Sequence, residues 1–161
     1  MRPHQRTALL RFARAGWAAA LTAVWGVAGA VTTAIDDSGT LVLSPSVPMR
    51  WQALSPRQRD GVLMAGSTTV RVRLNLTPWL QRAGRIYLVL PVQQPGAIRA
   101  SWSSQGRLLS GEVSSGSRAL VYSGPISTPF VEDVLQLAIF VDGRQMHRGY
   151  ELNFHFEMES T

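Results

Sequence analysis

From Tyr150 to Glu159 the chain alternates without a break. Tyr150, Leu152, Phe154, Phe156 and Met158 are apolar, while Glu151, Asn153, His155, Glu157 and Glu159 are polar. Side chains two apart on a strand share a face, so this period segregates the two sets onto a half-buried strand. A helical repeat of 3.6 residues would scatter them around a cylinder. The same period recurs in Thr69–Leu76, where Val70, Val72, Leu74 and Leu76 alternate with polar neighbours including Arg71 and Arg73. Ile98, Ala100 and Trp102 alternate in turn with Arg99, Ser101 and Ser103.

Two further runs, Ile86–Leu90 and Val134–Val141, are apolar on both faces and are expected as central strands covered on both sides. Asp142-Gly143 accepts positive φ and is expected to turn strand 134–141 back into 144–148. Shorter strands are expected at 40–43, 106–113 and 118–123, and residues 31–39 and 124–132 as irregular. Helix is confined to single turns opened by Ser55-Pro56 and Thr77-Pro78. The expected fold is an all-β, antiparallel, immunoglobulin-like β-sandwich of about seven or eight strands. A small barrel is the alternative.

The N-terminus follows a different rule. Arg2, His4, Arg6, Arg11 and Arg14 precede an apolar run from Ala15 to Val27, and Ala28-Gly29-Ala30 supplies small residues two apart. Basic, apolar, then small-x-small is the order of a secretory signal peptide. Cleavage is expected after Ala30, with Ala28 and Ala30 as the residues read. The chain then divides into a signal at 1–30, an extended segment at 31–39 and a sandwich domain at 40–161. Left uncut, Ala15 to Ile35 is long enough to span a bilayer as an anchor. The expected destination is the periplasm or cell surface, with no membrane contact after cleavage.

Cleavage alters the charge argument. The chain carries 16 basic and 10 acidic residues, and four of the arginines precede Ala30 while no acid does, so the mature excess is 12 − 10, or +2. The remaining arginines are scattered, which describes a solvated surface rather than a nucleic-acid footprint. The chain has no cysteine. Thiol catalysis, a Cys-bound metal and a disulfide framework are excluded, and the core must hold the fold.

Catalytic groups are sparse. His155 shares a strand face with Glu151 and Glu157, but a His-x-His pair is missing and a solvent-facing histidine is the expected reading. Asp37-Ser38-Gly39 matches the core of an aspartic-protease site, which needs two carboxylates sharing a proton. One copy exists, and Asp-Ser-Gly is ordinary turn chemistry. Asn75-Leu76-Thr77 matches a glycosylation acceptor. No enzyme activity, metal or cofactor is expected. Trp102 alternates inward, while Trp51 and Trp79 are candidate ligand aromatics able to stack on a sugar ring.

The remaining feature is a pair of extended ends. Val31, Thr33 and Ile35 alternate at the start of the mature chain, and the strand from Gly149 runs almost to the last residue. With an export signal and an immunoglobulin-like body, this plan resembles a chaperone–usher pilus subunit. The resemblance implies that Gly149, Tyr150, Leu152, Phe154 and Phe156 meet a periplasmic chaperone. It also implies that Val31, Thr33 and Ile35 complete a neighbouring subunit by strand donation. Ser160 stands where many members carry Tyr, and the family's common disulfide is absent. The function expected is a non-enzymatic structural or interaction protein of the envelope or surface, with a fimbrial subunit as the form the resemblance implies. The alternative is an exported sandwich module that binds a glycan or small ligand.

Overall fold

A computed structural model describes residues 31–44, 46–52, 63–92, 98–145 and 152–160. The signal residues, Ser55-Pro56, Gly149 and Tyr150 lie outside the described residues. Among the described residues ten strands form: β1 (Val31–Ala34), β2 (Leu41–Val42), β3 (Arg50–Trp51), β4 (Leu63–Asn75), β5 (Ala83–Leu90), β6 (Ile98–Ser104), β7 (Gly111–Ser114), β8 (Ser117–Pro125), β9 (Phe130–Asp142) and β10 (His155–Ser160). They build two antiparallel sheets, β1-β10-β5-β8 and β2-β4-β9-β6-β7, with β3 also paired to β4. The all-β antiparallel sandwich expected from alternation is the fold observed.

Leaving aside the two-residue strands β2 and β3, the eight longer strands stand in the order 1-8-3-6 over 2-7-4-5 when counted along the chain. That double-sheet order is a jelly roll, not the immunoglobulin-like order expected for the sandwich. The fully buried Val70, Val72, Leu74 and Leu76 of β4 and its exit meet Ile86 of β5 and Phe156 and Met158 of β10 in one core. Phe156 and Met158 have no exposed surface, and full burial of such a side chain contributes about 1.5–3 kcal/mol.

Residues 31–39, expected as irregular and extended ahead of the domain, are built into it. Val31 to Ala34 pairs with Ser160 to Glu157, and Ile35 is buried. Strand 106–113 is shorter than expected and starts at Gly111. The reason is Asp133, a buried carboxylate that accepts the Leu108 N–H and the Ser104 hydroxyl, each at 2.8 Å. Those bonds hold residues 104–108 in a bend instead of a ladder. In the 150–158 run, the ladder begins only at His155 among the described residues.

The hairpin expected at Asp142-Gly143 does not form among the described residues. Gly143–Gln145 is a 3₁₀ turn. β9 already carries β4 on one side and β6 on the other, and both ladders include Val141. No edge of β9 is left for a returning strand. The two doubly apolar runs are central strands, as expected, but each is covered on one side only. Tyr87 and Val89 on β5 and Val134, Ala138 and Phe140 on β9 face outward and are half-buried. Arginines shield the outward aromatics. Arg118 lies 4.1 Å over the Tyr87 ring, Arg99 5.0 Å over Phe140 and Arg73 4.8 Å over Phe130. Each such contact is worth about 0.5–1 kcal/mol at an exposed site.

Candidate functional site

The two segments expected to offer edges to other molecules pair with each other. Val31 lies opposite Ser160 and Thr33 opposite Met158. The Ile35 N–H donates to the Phe156 carbonyl at 2.9 Å. β10 is therefore an inner strand, with β1 on one side and β5 on the other. Leu152 and Phe154 are half-buried against the core, and the Phe154 ring meets Phe156 edge-on at 6.0 Å. β1, whose four side chains are all exposed, is one edge of this sheet, and β8 is the other.

The polar groups on the outer face of β10 are taken up by neighbouring side chains. His155 Nε2 lies 3.3 Å from Glu157. Glu159 is held by Arg118 at 2.9 Å and by Arg85 at 3.5 Å, and the Tyr87 hydroxyl donates to it at 3.5 Å. Among the described residues no group of three or more His, Cys, Asp or Glu is placed to hold a metal. Asp37-Ser38-Gly39 forms a turn in which the Thr40 N–H donates to the Asp37 carbonyl at 2.8 Å. Asn75 Oδ1 accepts the N–H of Thr77 at 3.2 Å and its hydroxyl at 2.7 Å, folding the acceptor triplet onto itself.

The candidate tryptophans part company. Trp102 is buried, and its indole N–H donates to the Leu109 carbonyl at 2.9 Å. Trp79 closes the 3₁₀ turn Thr77–Trp79 and is half-buried against the core. Trp51 is 60% exposed. Trp51 pairs with Met64 at the start of β4, whereas Trp79 follows its end, roughly 40 Å of strand away. The two do not share a groove.

Trp51 has a built setting. β3 holds it opposite Met64, and Met64 lies opposite Val141. Two residues on, Gly143 has no side chain, and the six-membered ring of Trp51 rests against it. Next to Gly143 in sequence, Arg144 donates to Asp142 twice, from Nε at 3.2 Å and from a terminal nitrogen at 2.9 Å. The Arg144 N–H adds a third bond to Asp142 Oδ1 at 3.0 Å. Hydrogen bonds from the Arg144 side chain, foremost, and from its backbone hold the Asp142 carboxyl below the usual carboxylate range. An exposed indole of this kind can stack on a sugar ring. Trp51 is legible in the sequence as an aromatic, but Gly143 reaches it only through the β3–β4–β9 ladder.

No family model matches the sequence, and no curated protein matches it. Among solved structures, a similar chain is TmCBM61 in complex with β-1,4-galactotriose. It shares 10% sequence identity with a TM-score of 0.25, over 74% of this chain and 82% of that one. A likeness at that score has no weight in assigning function, which rests on the chain's own geometry.

Proposed function

We propose that this chain is a non-catalytic β-sandwich module that binds a carbohydrate on Trp51. One observation carries the reading: an indole 60% exposed is seated on Gly143 at the end of the β4–β9 ladder. A tryptophan left that open forgoes burial worth about 1.5–3 kcal/mol or more, a cost that ligand contact recovers. The basic–apolar–small start of the sequence supports a place outside the cytoplasm, where free glycans are met. Glycan-array screening followed by calorimetry tests the proposal. Trp51→Ala is expected to abolish binding while the unfolding temperature holds. Silence across the array, or equal binding by Trp51→Ala, rejects it.

A second reading, assembly by strand donation, is favoured by β1. Its four side chains are exposed, and it is held to β10 through backbone pairing, with Ile35 as its buried anchor. A peptide of the sequence Val31–Asp37 is expected to exchange into the protein and to shift its oligomeric state. A monomer that unfolds reversibly and takes up no peptide rules this reading out.

A further inference from the structure

We infer that the side of the sandwich formed by the β1 and β2 edges rests on an anionic phospholipid surface, with Leu41 and Leu43 as the side chains that enter it. The inference goes beyond the glycan reading. It stands against the expectation of no membrane contact after cleavage.

The first ground is where exposed apolar side chains gather. β1 is an edge of one sheet and β2 an edge of the other. The chain passes between them in residues 35–40, and the bridge from Asp36 to Asn75 lands it on β4, the neighbour of β2. The two edges therefore share one side of the sandwich. β7 and β8, joined through Ser115 and Gly116, share the other. Ten large apolar side chains are exposed among the described residues, and five lie on the β1–β2 side: Val31, Leu41, Val42, Leu43 and Trp51. Leu41 is 55% and Leu43 54% exposed. A gathering of that kind marks an interaction surface.

The second ground is shape. Leu41 lies opposite Arg71, and the Leu43 N–H donates to the Thr69 carbonyl at 2.9 Å, so both leucines stand on the solvent face with Arg71. Val42 lies opposite the buried Val70 and Trp51 opposite Met64, so these two lean to the core side. Apolar groups thus project to both sides of one edge. A rigid partner needs a cleft shaped around such an edge, whereas a fluid interface closes around it. Strand addition fits less well. β2 offers two residues, and the β4 edge beyond it is closed by Thr40, whose Oγ1 accepts the Arg73 N–H at 3.1 Å and donates to the Arg73 carbonyl at 3.4 Å.

The third ground is the charge beside the leucines. Arg71 is exposed next to Leu41, and Arg50, opposite Ala65, is exposed on the same face. An arginine stem can lie in an apolar layer while its guanidinium reaches lipid phosphates. The acids of this side, Asp36 and Asp37, lie in the connection between the edges, where the Asp36 carboxylate accepts the Ser38 N–H at 3.2 Å. Val31, on the same side, directly follows the basic, apolar and small-residue start by which an exported chain meets a membrane.

The test exploits the absence of cysteine, because one introduced thiol then carries a polarity-sensitive dye at one place. Leu41→Cys and Leu43→Cys put the dye on the edge. Leu109→Cys is the control: Leu109 is 49% exposed, and its N–H donates to Val121 of β8, on the other side. Each labelled full chain is mixed with vesicles of phosphatidylcholine and phosphatidylglycerol in equal parts. The dye at 41 and 43 is expected to shift to the blue and to lose its quenching by aqueous iodide, while the dye at 109 keeps both. Each dye reports its own surroundings, so entry of residues 15–27 into the bilayer does not mimic this pattern. Arg71→Gln, and vesicles of phosphatidylcholine alone, are each expected to shrink the shift at 43. Edge dyes that stay in water, or three dyes that shift alike, overturn the inference. So does shielding of the edge dyes before vesicles are added, which would mean that a second copy covers the edge. A shift at 43 that neither change reduces overturns the anionic surface. No sugar is present, so failure here and failure of the glycan reading are read apart.

Discussion

The six-membered ring of Trp51 lies against the backbone of Gly143, and a Cβ at residue 143 would overlap it. Met64 Cγ would also stand 3.0 Å from that Cβ. Gly143 is not among the glycines with positive φ, so the backbone itself does not demand glycine here. Its use is to let the indole approach.

Gly143→Val is therefore expected to push Trp51 off its seat without unfolding the sandwich. Affinity for the bound sugar should fall at least about tenfold, or about 1.4 kcal/mol. Calorimetry reads the loss, and an unchanged circular dichroism spectrum shows that the fold persists. Unaltered affinity would mean that Trp51 does not need this support.

Asp133 tests the polar side of the core. Its carboxylate accepts from Ser104 Oγ and the Leu108 N–H at 2.8 Å and from the Val134 N–H at 2.6 Å. Asp133→Ala strands those donors, and a buried donor left unsatisfied costs about 1–3 kcal/mol. We expect a loss of about 3 kcal/mol in denaturant unfolding and faster amide exchange at Leu108. Gly106→Ala should act in the same direction, because its Cβ would come within 2.9 Å of the same carboxylate.

How far the sequence could be read follows from what alternation encodes. Period two marks which side of a strand is buried, so Val70, Val72, Leu74, Phe156 and Met158 were legible as core. It carries no information on which strands pair. β4 and β9 match over thirteen residue pairs from Leu63↔Asp142 to Asn75↔Phe130, and that ladder together with the β6–β9 ladder leaves no edge for a hairpin at Asp142-Gly143. Outward apolar residues misled for a related reason. Tyr87 and Phe140 look like a second buried face, yet arginines from neighbouring strands cover them. Trp51 was legible as an aromatic and not as a site, since its surroundings come from residues about ninety positions later.

Burial and exposure within one sheet should separate sharply on mutation. Phe156 has no exposed surface and its neighbour across the ladder is Leu88, also buried. Phe156→Ala should cost about 3–5 kcal/mol through lost burial and the cavity left behind. Val31 is 63% exposed on β1, so Val31→Ala should stay within about 0.5 kcal/mol. Urea midpoints for the two variants check the pair. A large loss at Val31 would mean that its side chain, and not the backbone pairing of β1, holds that edge.

Acid should reach two turns in this molecule. The Asp36 carboxyl sits below the usual carboxylate range because the Ser38 side chain and N–H, and then Asn75, donate to it. Asp142 is lowered chiefly by the Arg144 side chain. An unfolded Asp titrates near about 3.9, so in acid the folded protein binds fewer protons at these two sites than the unfolded chain. Their stabilisation is complete above that unfolded value and disappears as pH falls through the lower folded values. The difference in unfolding temperature between the natural chain and an Asp36→Asn, Asp142→Asn double variant should therefore be constant from about pH 7 to about pH 5 and shrink below about pH 4. A difference that grows on acidification would show that the two carboxylates are raised in the folded state, and that the hydrogen bonds to them do not favour the charged form.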